Sequence, residues 1–348
     1  MILCPLVDRW GGRSGFLGAL IGVTVFSLCG ALAPSWGALT LIYAFNRFCG
    51  AAAWASMVKQ APPWFGEKNH GLVLGVLSLS YVFGGAAGIA CAGQISEWTG
   101  HSWRAIFGLP SFALLFIIGL AAWLLPRALR APHTNGKGPT GFNWRLARTL
   151  VASPSFWAVC ALSFALTLLR ETFNDWTVDF IKTEGGAGLS NRVAAFLSTP
   201  FDLCGAAGIL VAGMMVGRFP AKTQRWILVS GLGLLCGALI ALPHLIPFGL
   251  AAIVLGIGLI GFLSLGPYSL LAGYFSVRLQ GPACAATVAG LVDSIGYFAG
   301  IVAGSTFGWL LHCGGYTLGL QVLAVINLVS AGRCFFWNLN HLTEDELR

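Results

Sequence analysis

Charge is what this sequence has least of. Asp, Glu, Lys and Arg together make up 9% of the 348 residues, against about a quarter in soluble domains, so there is too little of it to clothe a water-facing globule. The groupings that chemistry needs are scarce too. Ten cysteines lie nearly one per apolar run with no CxxC pair, and six histidines lie apart with no HExxH; this disfavours disulfide and metal roles and leaves cysteine as a small apolar residue. One GxGxxG match exists, "GIGLIG" at 256–261, in the middle of an apolar run with no soluble strand ahead of it. Its glycines fit close helix packing better than a phosphate cradle. No nucleophile–base pair stands out, so neither an enzyme nor a bound cofactor or metal is expected. The opening "MILCPLVDRWGGR" has no basic stretch before its short apolar start, and no signal peptide is expected.

Apolar residues fill the space that charge leaves. They reach 57%, with 47 Gly and 13 Trp, and the mean hydropathy is +0.79. Runs of about 20 residues, long enough to cross a roughly 30 Å hydrocarbon core, recur along the chain. They predict membrane helices at 15–33, 37–57, 72–95, 105–125, 153–181, 192–216, 225–243, 247–275, 283–310 and 314–337. A net charge of +8 invites a nucleic-acid reading, which the distribution rejects. One side of the predicted membrane receives Arg9, Arg13, Lys59, Lys68, the cations of 126–148, Arg218, Lys222, Arg225, Arg278 and Arg348; the other receives Arg104, Lys182 and Arg192. That bias places the first group, with the middle loop and the C-terminus, in the cytoplasm. The expectation is a multi-pass protein of the inner or plasma membrane, monomeric, with lipid as its surroundings and no nucleic-acid partner.

The most polar long segment, "PRALRAPHTNGKGPTGFNWRLAR" at 126–148, separates two groups of helices and reads as a cytoplasmic linker. The expected organisation is therefore a helix bundle over 1–125, a loop over 126–151 and a six-helix bundle over 152–348. The two halves echo each other. Gly84 and Gly88 in "YVFGGAAGIACAGQISEWTG" answer Gly296 and Gly300 in "SIGYFAGIVAGSTFGWLL" at an offset of 212, and Arg9 of "DRWGGR" answers Arg218 of "GRFPAKTQR" at an offset of 209. Echoes at nearly one spacing suggest a duplicated bundle, a plan common among secondary transporters.

"LVDRWGGRSG" resembles the short cytoplasmic loop of the major facilitator superfamily, between its second and third helices. The second-half echo, the basic middle loop and the glycine-rich helices fall where that plan expects them. The resemblance implies an all-α polytopic membrane protein with the major facilitator fold, two pseudo-symmetric bundles and about ten full transmembrane helices plus the remnant of one. On this reading the first helix and most of the second precede Met1, an N-terminal truncation or a misassigned start. It also implies that Asp8, Arg9 and Arg13 form a cytoplasmic gating cluster. A positive-inside anchor and helix cap is the alternative.

An ionised side chain inside a membrane helix costs at least a few kcal/mol and needs a reason. Arg47, Arg170, Asp202 and Asp293 stand out. Guanidinium is permanently charged and offers a planar fork suited to phosphate or carboxylate. Asp202 or Asp175 could equally hold Arg170 as an internal pair, and Asp202 could carry a proton. Asp293, Tyr297, Gly300 and Gly304 share one helical face by their spacing. That face suits either a pathway lining or plain helix packing. Arg47, in "YAFNRFCG", suits helix packing or proton coupling.

"LLRETFNDWTVDFI" resembles the seventh helix of the organophosphate:phosphate antiporters, the glycerol-3-phosphate and hexose-phosphate transporters, in which an Arg followed by Asp-Trp five and six residues on contacts the substrate phosphate. Arg170, Asp175 and Trp176 match that pattern. "GPYSLLAGYFS" and "ATVAGLVDSIGYFAGIVAG" resemble the tenth and eleventh helices of the group. "EKNHGLVLGVLSLSYVFGGAAG" resembles the fifth, with Tyr81 where a His often stands; tyrosine can donate to an oxyanion but cannot become cationic. The resemblance implies a secondary transporter of an anionic metabolite working by alternating access. Arg170, Tyr81, Trp176, Tyr297 and Asp293 would face the substrate, and Asp202, Asp175 and Arg47 would serve charge pairing or coupling. Exchange is the expected coupling, since each anion in turn satisfies the buried arginine. Proton-coupled symport of an organic anion or sugar, and a membrane sensor of phosphorylated sugar signalling to a membrane kinase, are the alternatives. Glu171 and Asp179 stay unexplained at this level.

Overall fold

A chain in lipid must satisfy its backbone polar groups internally, and runs of this length do so most simply as helices. The structure, a computed structural model, describes residues 3–64, 70–100, 102–125, 150, 152–185, 189–280 and 284–336. Its elements are α1 (Cys4–Trp10), α2 (Gly12–Ala31), α3 (Trp36–Trp64), α4 (His70–Trp98), α5 (Trp103–Leu124), α6 (Pro154–Glu184), α7 (Asn191–Ser198), α8 (Pro200–Arg218), α9 (Ala221–Ala241), α10 (Leu250–Leu270), α11 (Ser276–Gln280) and α12 (Ala285–Phe336). A 3₁₀ stretch, Leu242–Phe248, and a π-helical turn, Leu271–Phe275, lie on either side of α10. No strand occurs among the described residues, and seven helical stretches there are long and apolar enough to cross a membrane. The expected linker 126–151 lies outside the described residues except for Leu150.

Three boundaries differ from the sequence reading, each for a local reason. The helix expected over 153–181 runs on unbroken to Glu184, where the Gly185 N–H bonds the Ile181 carbonyl at 2.9 Å. Nothing in the helix after Pro154 is Gly or Pro, the residues that most often break one. The segment 192–216, expected as one helix, is interrupted at Thr199. Pro200 occupies the first turn of α8, where its missing N–H costs nothing, and the Ser190 hydroxyl accepts from the Val193 N–H to start α7. The helices expected at 283–310 and 314–337 run together as α12, with a break at Gly314–Gly315; Gly315 has φ 65°, a conformation that glycine adopts without strain.

The chain falls into two compact units. The first comprises 1–66, 80–147 and 280–290 and is built on α2 packed against α3 and α5. Small residues bring α2 and α3 together: a methyl group on Gly22 would lie 2.7 Å from the Cys49 sulfur, and one on Gly15 would lie 2.5 Å from the Ser56 hydroxyl. The second unit comprises 67–79, 148–279 and 291–348. Its closest pair is α8 with α10. Gly208 and Gly261 approach the Phe262 and Phe201 carbonyls so closely that any side chain would collide, and a methyl on Gly266 would meet the Gly208 carbonyl at 2.8 Å. Gly261 belongs to "GIGLIG", so that stretch is a packing surface. Within the second unit 72% of the apolar window of α6 is buried, which makes α6 the helix around which the others gather.

Candidate functional site

The charged residues of α6 lie on this central helix. The Arg170 side chain is 13% exposed and hydrogen-bonds the carboxylate of Glu171, whose side chain is 26% exposed. Its guanidinium also lies over the ring of Tyr268 on α10, 4.8 Å from the centroid, a cation–π contact that desolvation strengthens. Asp202 in the first turn of α8, with Asp293 and Tyr297 on α12, lies within electrostatic reach of Arg170. Four helices thus converge on one guanidinium.

α12 approaches α6 along its glycines. A methyl group on Gly296 would lie 2.8 Å from the Thr167 hydroxyl, one on Gly300 would lie 3.6 Å from Cγ of Glu171, and one on Gly308 would lie 3.4 Å from the Trp176 ring. The Ser163 hydroxyl donates to the Val292 carbonyl at 3.3 Å. Further along, the Tyr316 hydroxyl donates to Asp179 at 2.5 Å, and the Phe180 and Tyr316 rings meet edge-on at 4.9 Å. The indole N–H of Trp176 is shielded and has no hydrogen-bond partner among the described residues. Trp176, Thr172, Phe307 and Tyr316 help to line a cavity of about 20 Å³, space for a single water.

Of the expected site residues, Asp293, Tyr297 and Asp202 lie within reach of Arg170 in the second unit, whereas Trp176, on the same helix, packs against Gly308 and Phe307 of α12. Asp175 is exposed one turn beyond Glu171 and feels its charge. Glu171, given no role from sequence, hydrogen-bonds Arg170, and Asp202, weighed from sequence as its partner, lies within its electrostatic reach. Tyr268, quoted within "GPYSLL" but given no role, is the aromatic platform that the sequence reading missed.

Tyr81 and Arg47 belong to the first unit. The Tyr81 hydroxyl is shielded from solvent. Arg47 is exposed on α3; it donates to Asn46 Oδ1 at 2.9 and 3.2 Å and covers the Tyr43 ring at 5.0 Å. Asn46 is in turn fixed by the Val23 carbonyl at 2.8 Å and the Ser27 hydroxyl at 2.9 Å. The Asp8 side chain, 2% exposed, pairs with Lys59 at 2.7 Å. Its other oxygen accepts from the Thr287 N–H at 2.8 Å and the Thr287 hydroxyl at 2.5 Å. Thr287 lies in the first turn of α12, where N–H groups lack helical partners and a carboxylate is favoured. Arg13 donates to the Ala122 carbonyl at 2.7 Å, near the C-terminal end of α5, the matching arrangement for a cation. Arg9 stays exposed in the last turn of α1.

Several helices long and apolar enough to cross a membrane, with no strand among the described residues, define a polytopic helical membrane protein. The Major Facilitator Superfamily matches residues 1–305, and the chain belongs to that family. Among curated proteins it is 25% identical over 281 residues to the "Putative glycerol-3-phosphate transporter 2" of Arabidopsis thaliana, covering 70% of this chain and 54% of that one. It is 24% identical over 302 residues to the "Probable hexose phosphate transport protein" of Chlamydia pneumoniae, covering 77% and 64%. The chain thus spans only about half to two-thirds of the length of these relatives. The fold is shared with the Escherichia coli fucose:proton symporter (TM-score 0.73, 12% identity, 96% of this chain and 86% of that one). It is also shared with the human organic anion transporter MFSD10 (TM-score 0.70, 17% identity, 95% and 79%). The relatives and family members named here are transporters rather than enzymes.

Proposed function

We propose that the protein transports a small phosphate-bearing anion across the membrane by alternating access, with Arg170 as the group that holds the anion. The observation that carries this reading is the convergence of α6, α8, α10 and α12 on one guanidinium, backed by the Tyr268 ring. A fixed planar cation in a mostly apolar setting binds a phosphate through paired, charge-assisted hydrogen bonds. The names of the curated relatives, glycerol-3-phosphate and hexose phosphate carriers, support the same substrate class.

Tyr297 and Asp293 are the neighbouring side chains in this proposal, with Trp176 further along α6 and Tyr81 a further candidate for substrate contact. Residues 1–125 and 152–348 act as the two bundles, joined through 126–151. Asp8, Arg9 and Arg13 form the gating cluster, because Asp8 ties α1 and α3 to the first turn of α12 with both of its oxygens in use. The test is uptake of radiolabelled glycerol 3-phosphate into proteoliposomes. Arg170→Ala should lower the rate by about a hundredfold or more, the scale of losing a charge-assisted bidentate contact. Unchanged uptake would remove Arg170 from the site.

A further inference from the structure

Between α8, α9 and α10 of the second unit runs a groove that the anion site does not use. Its cavity measures about 120 Å³, and its walls include Met215 and Val216 of α8, Ile227 and Leu228 of α9, and Phe262 and Leu263 of α10. The lining residues run from 208 to 216 on α8 and from 262 to 270 on α10, about 12 Å along each axis. That is close to the depth of one leaflet, about half of a roughly 30 Å hydrocarbon core. Helices α8 and α10 meet at Gly208 and Gly266, both in the lining, whereas Gly231 of α9 leaves space: a methyl group there would meet nothing within 4 Å.

Polar side chains enter this lining at one end only, as Gln224 and Arg225 in the opening turns of α9. The Gln224 amide is already committed, donating to the Val216 and Phe219 carbonyls at 2.8 and 2.7 Å where α8 finishes. The guanidinium of Arg225 therefore sets the chemistry of that end. Arg218 in the last turn of α8 and Lys222 in the first turn of α9, both exposed, stand at the same end. From 203 to 292 the sequence has no acidic residue, and its Lys and Arg residues there are Arg218, Lys222, Arg225 and Arg278. Trp226, 54% exposed, adjoins them, and an exposed indole on a membrane helix marks the boundary between hydrocarbon and head groups.

We propose that the groove holds an anionic phospholipid of the leaflet on this basic side, with one acyl chain along the walls of α8, α9 and α10 and its phosphate beside Arg225, Arg218 and Lys222. A soluble metabolite needs polar groups along its length to fix it, and these walls have none beyond the basic end. An apolar groove alone would take the chain of any lipid; cations at its mouth select a head group of net negative charge. The lipid also completes the packing. Helix α9 rests on α10 and barely touches α8, so a chain lying over Gly231 joins the two. The assignment stands whether or not Arg170 holds the substrate.

The test equilibrates the purified protein in detergent with an equimolar mixture of phosphatidylglycerol and phosphatidylcholine of the same chains, then measures the lipid retained by native mass spectrometry. Wild type should hold phosphatidylglycerol about tenfold or more over phosphatidylcholine, less than three cations would give unscreened. Arg225→Gln should lower that preference about fivefold, the scale of one cation facing an anionic head group. Gly231→Leu fills the groove and keeps every cation, and it should lower the retained phosphatidylglycerol about tenfold or more, as losing two or three buried methylenes would. Equal retention of the two lipids by wild type overturns the proposal. So does a Gly231→Leu variant that keeps its phosphatidylglycerol, since the cations would then be binding a head group at the open surface. If Gly231→Leu does not fold, Arg225→Gln decides in its place, and a wild-type preference in that variant overturns the proposal.

Discussion

Two arginines stand inside apolar helices, and the protein holds them in different ways. Arg170 draws its surroundings from four helices: a carboxylate from its own, an aromatic face from α10, and the fields of acids on α8 and α12. Arg47 is exposed and draws its contacts from its own helix, the preceding Asn46 and the Tyr43 ring one turn back. A charge assembled from distant parts of the chain is arranged for something that also reaches those parts. A charge satisfied within a turn of helix is arranged for local order. The contrast is best broken by removing each charge in turn. Arg170→Ala should reduce phosphate-ester uptake by about a hundredfold or more, whereas Arg47→Ala should change it by no more than about threefold. Similar losses from the two would erase the distinction.

The Asp8 cluster offers a third arrangement, a buried charge that is structural in its contacts whatever it does in the cycle. Its two oxygens are used by Lys59 and by Thr287 at the start of α12. Asp8→Ala takes the carboxylate from Lys59, which keeps the residue-8 backbone carbonyl at 2.9 Å, and uncaps a helix, which should cost about 2 kcal/mol. Thermal unfolding in detergent measures it, and the melting temperature should fall well below that of Arg9→Ala, whose side chain is exposed. Equal melting temperatures would reduce Asp8 to a surface anchor.

Packing between α8 and α10 supplies a smaller effect with no charge involved. A methyl group on Gly266 would sit 2.8 Å from the Gly208 carbonyl and 3.3 Å from the Ala212 methyl, so Gly266→Ala must push the two helices apart, at about 1–3 kcal/mol of overpacking. Gly304→Ala on α12 meets nothing within 4 Å and should leave the melting temperature within about a degree of wild type. If both substitutions behave alike, the close approach is not what holds α8 to α10.

Much of this architecture was legible in sequence because hydropathy and lipid leave little choice: a long apolar run with few charges becomes a helix. Arg170 stood out for the same reason. The details that escaped depend on contacts that spacing does not encode. Neighbours on a helix point about 100° apart and are not expected to pair, so Glu171 was passed over in favour of Asp202; in the structure its side chain bends back to the guanidinium beside it. Tyr268 lies 98 residues from Arg170 in a run that reads simply as apolar, and nothing local marks its ring as a cation platform. The echo between the halves also proved uneven in packing. Gly296 and Gly300 face side chains of α6, while Gly84 and Gly88 face open space, so a repeated spacing in sequence does not carry the same contact twice.

Asp179 and Tyr316 give the smallest expected effect and separate two explanations of the α6 acids. If every carboxyl on α6 served the anion site, losing the Tyr316 contact would alter transport. The hydrogen bond instead ties α6 to α12 where the Phe180 and Phe307 rings also meet Tyr316, at 4.9 and 6.5 Å. Two full helical turns of α6 separate Asp179 from Glu171. Tyr316→Phe keeps the ring contacts and removes only the hydroxyl, so the loss should be about 1 kcal/mol of stability, and transport at saturating substrate should stay within about twofold of wild type. A larger drop in uptake with unchanged melting temperature would place Asp179 in the transport cycle and extend the functional stretch of α6 from Arg170 toward its end.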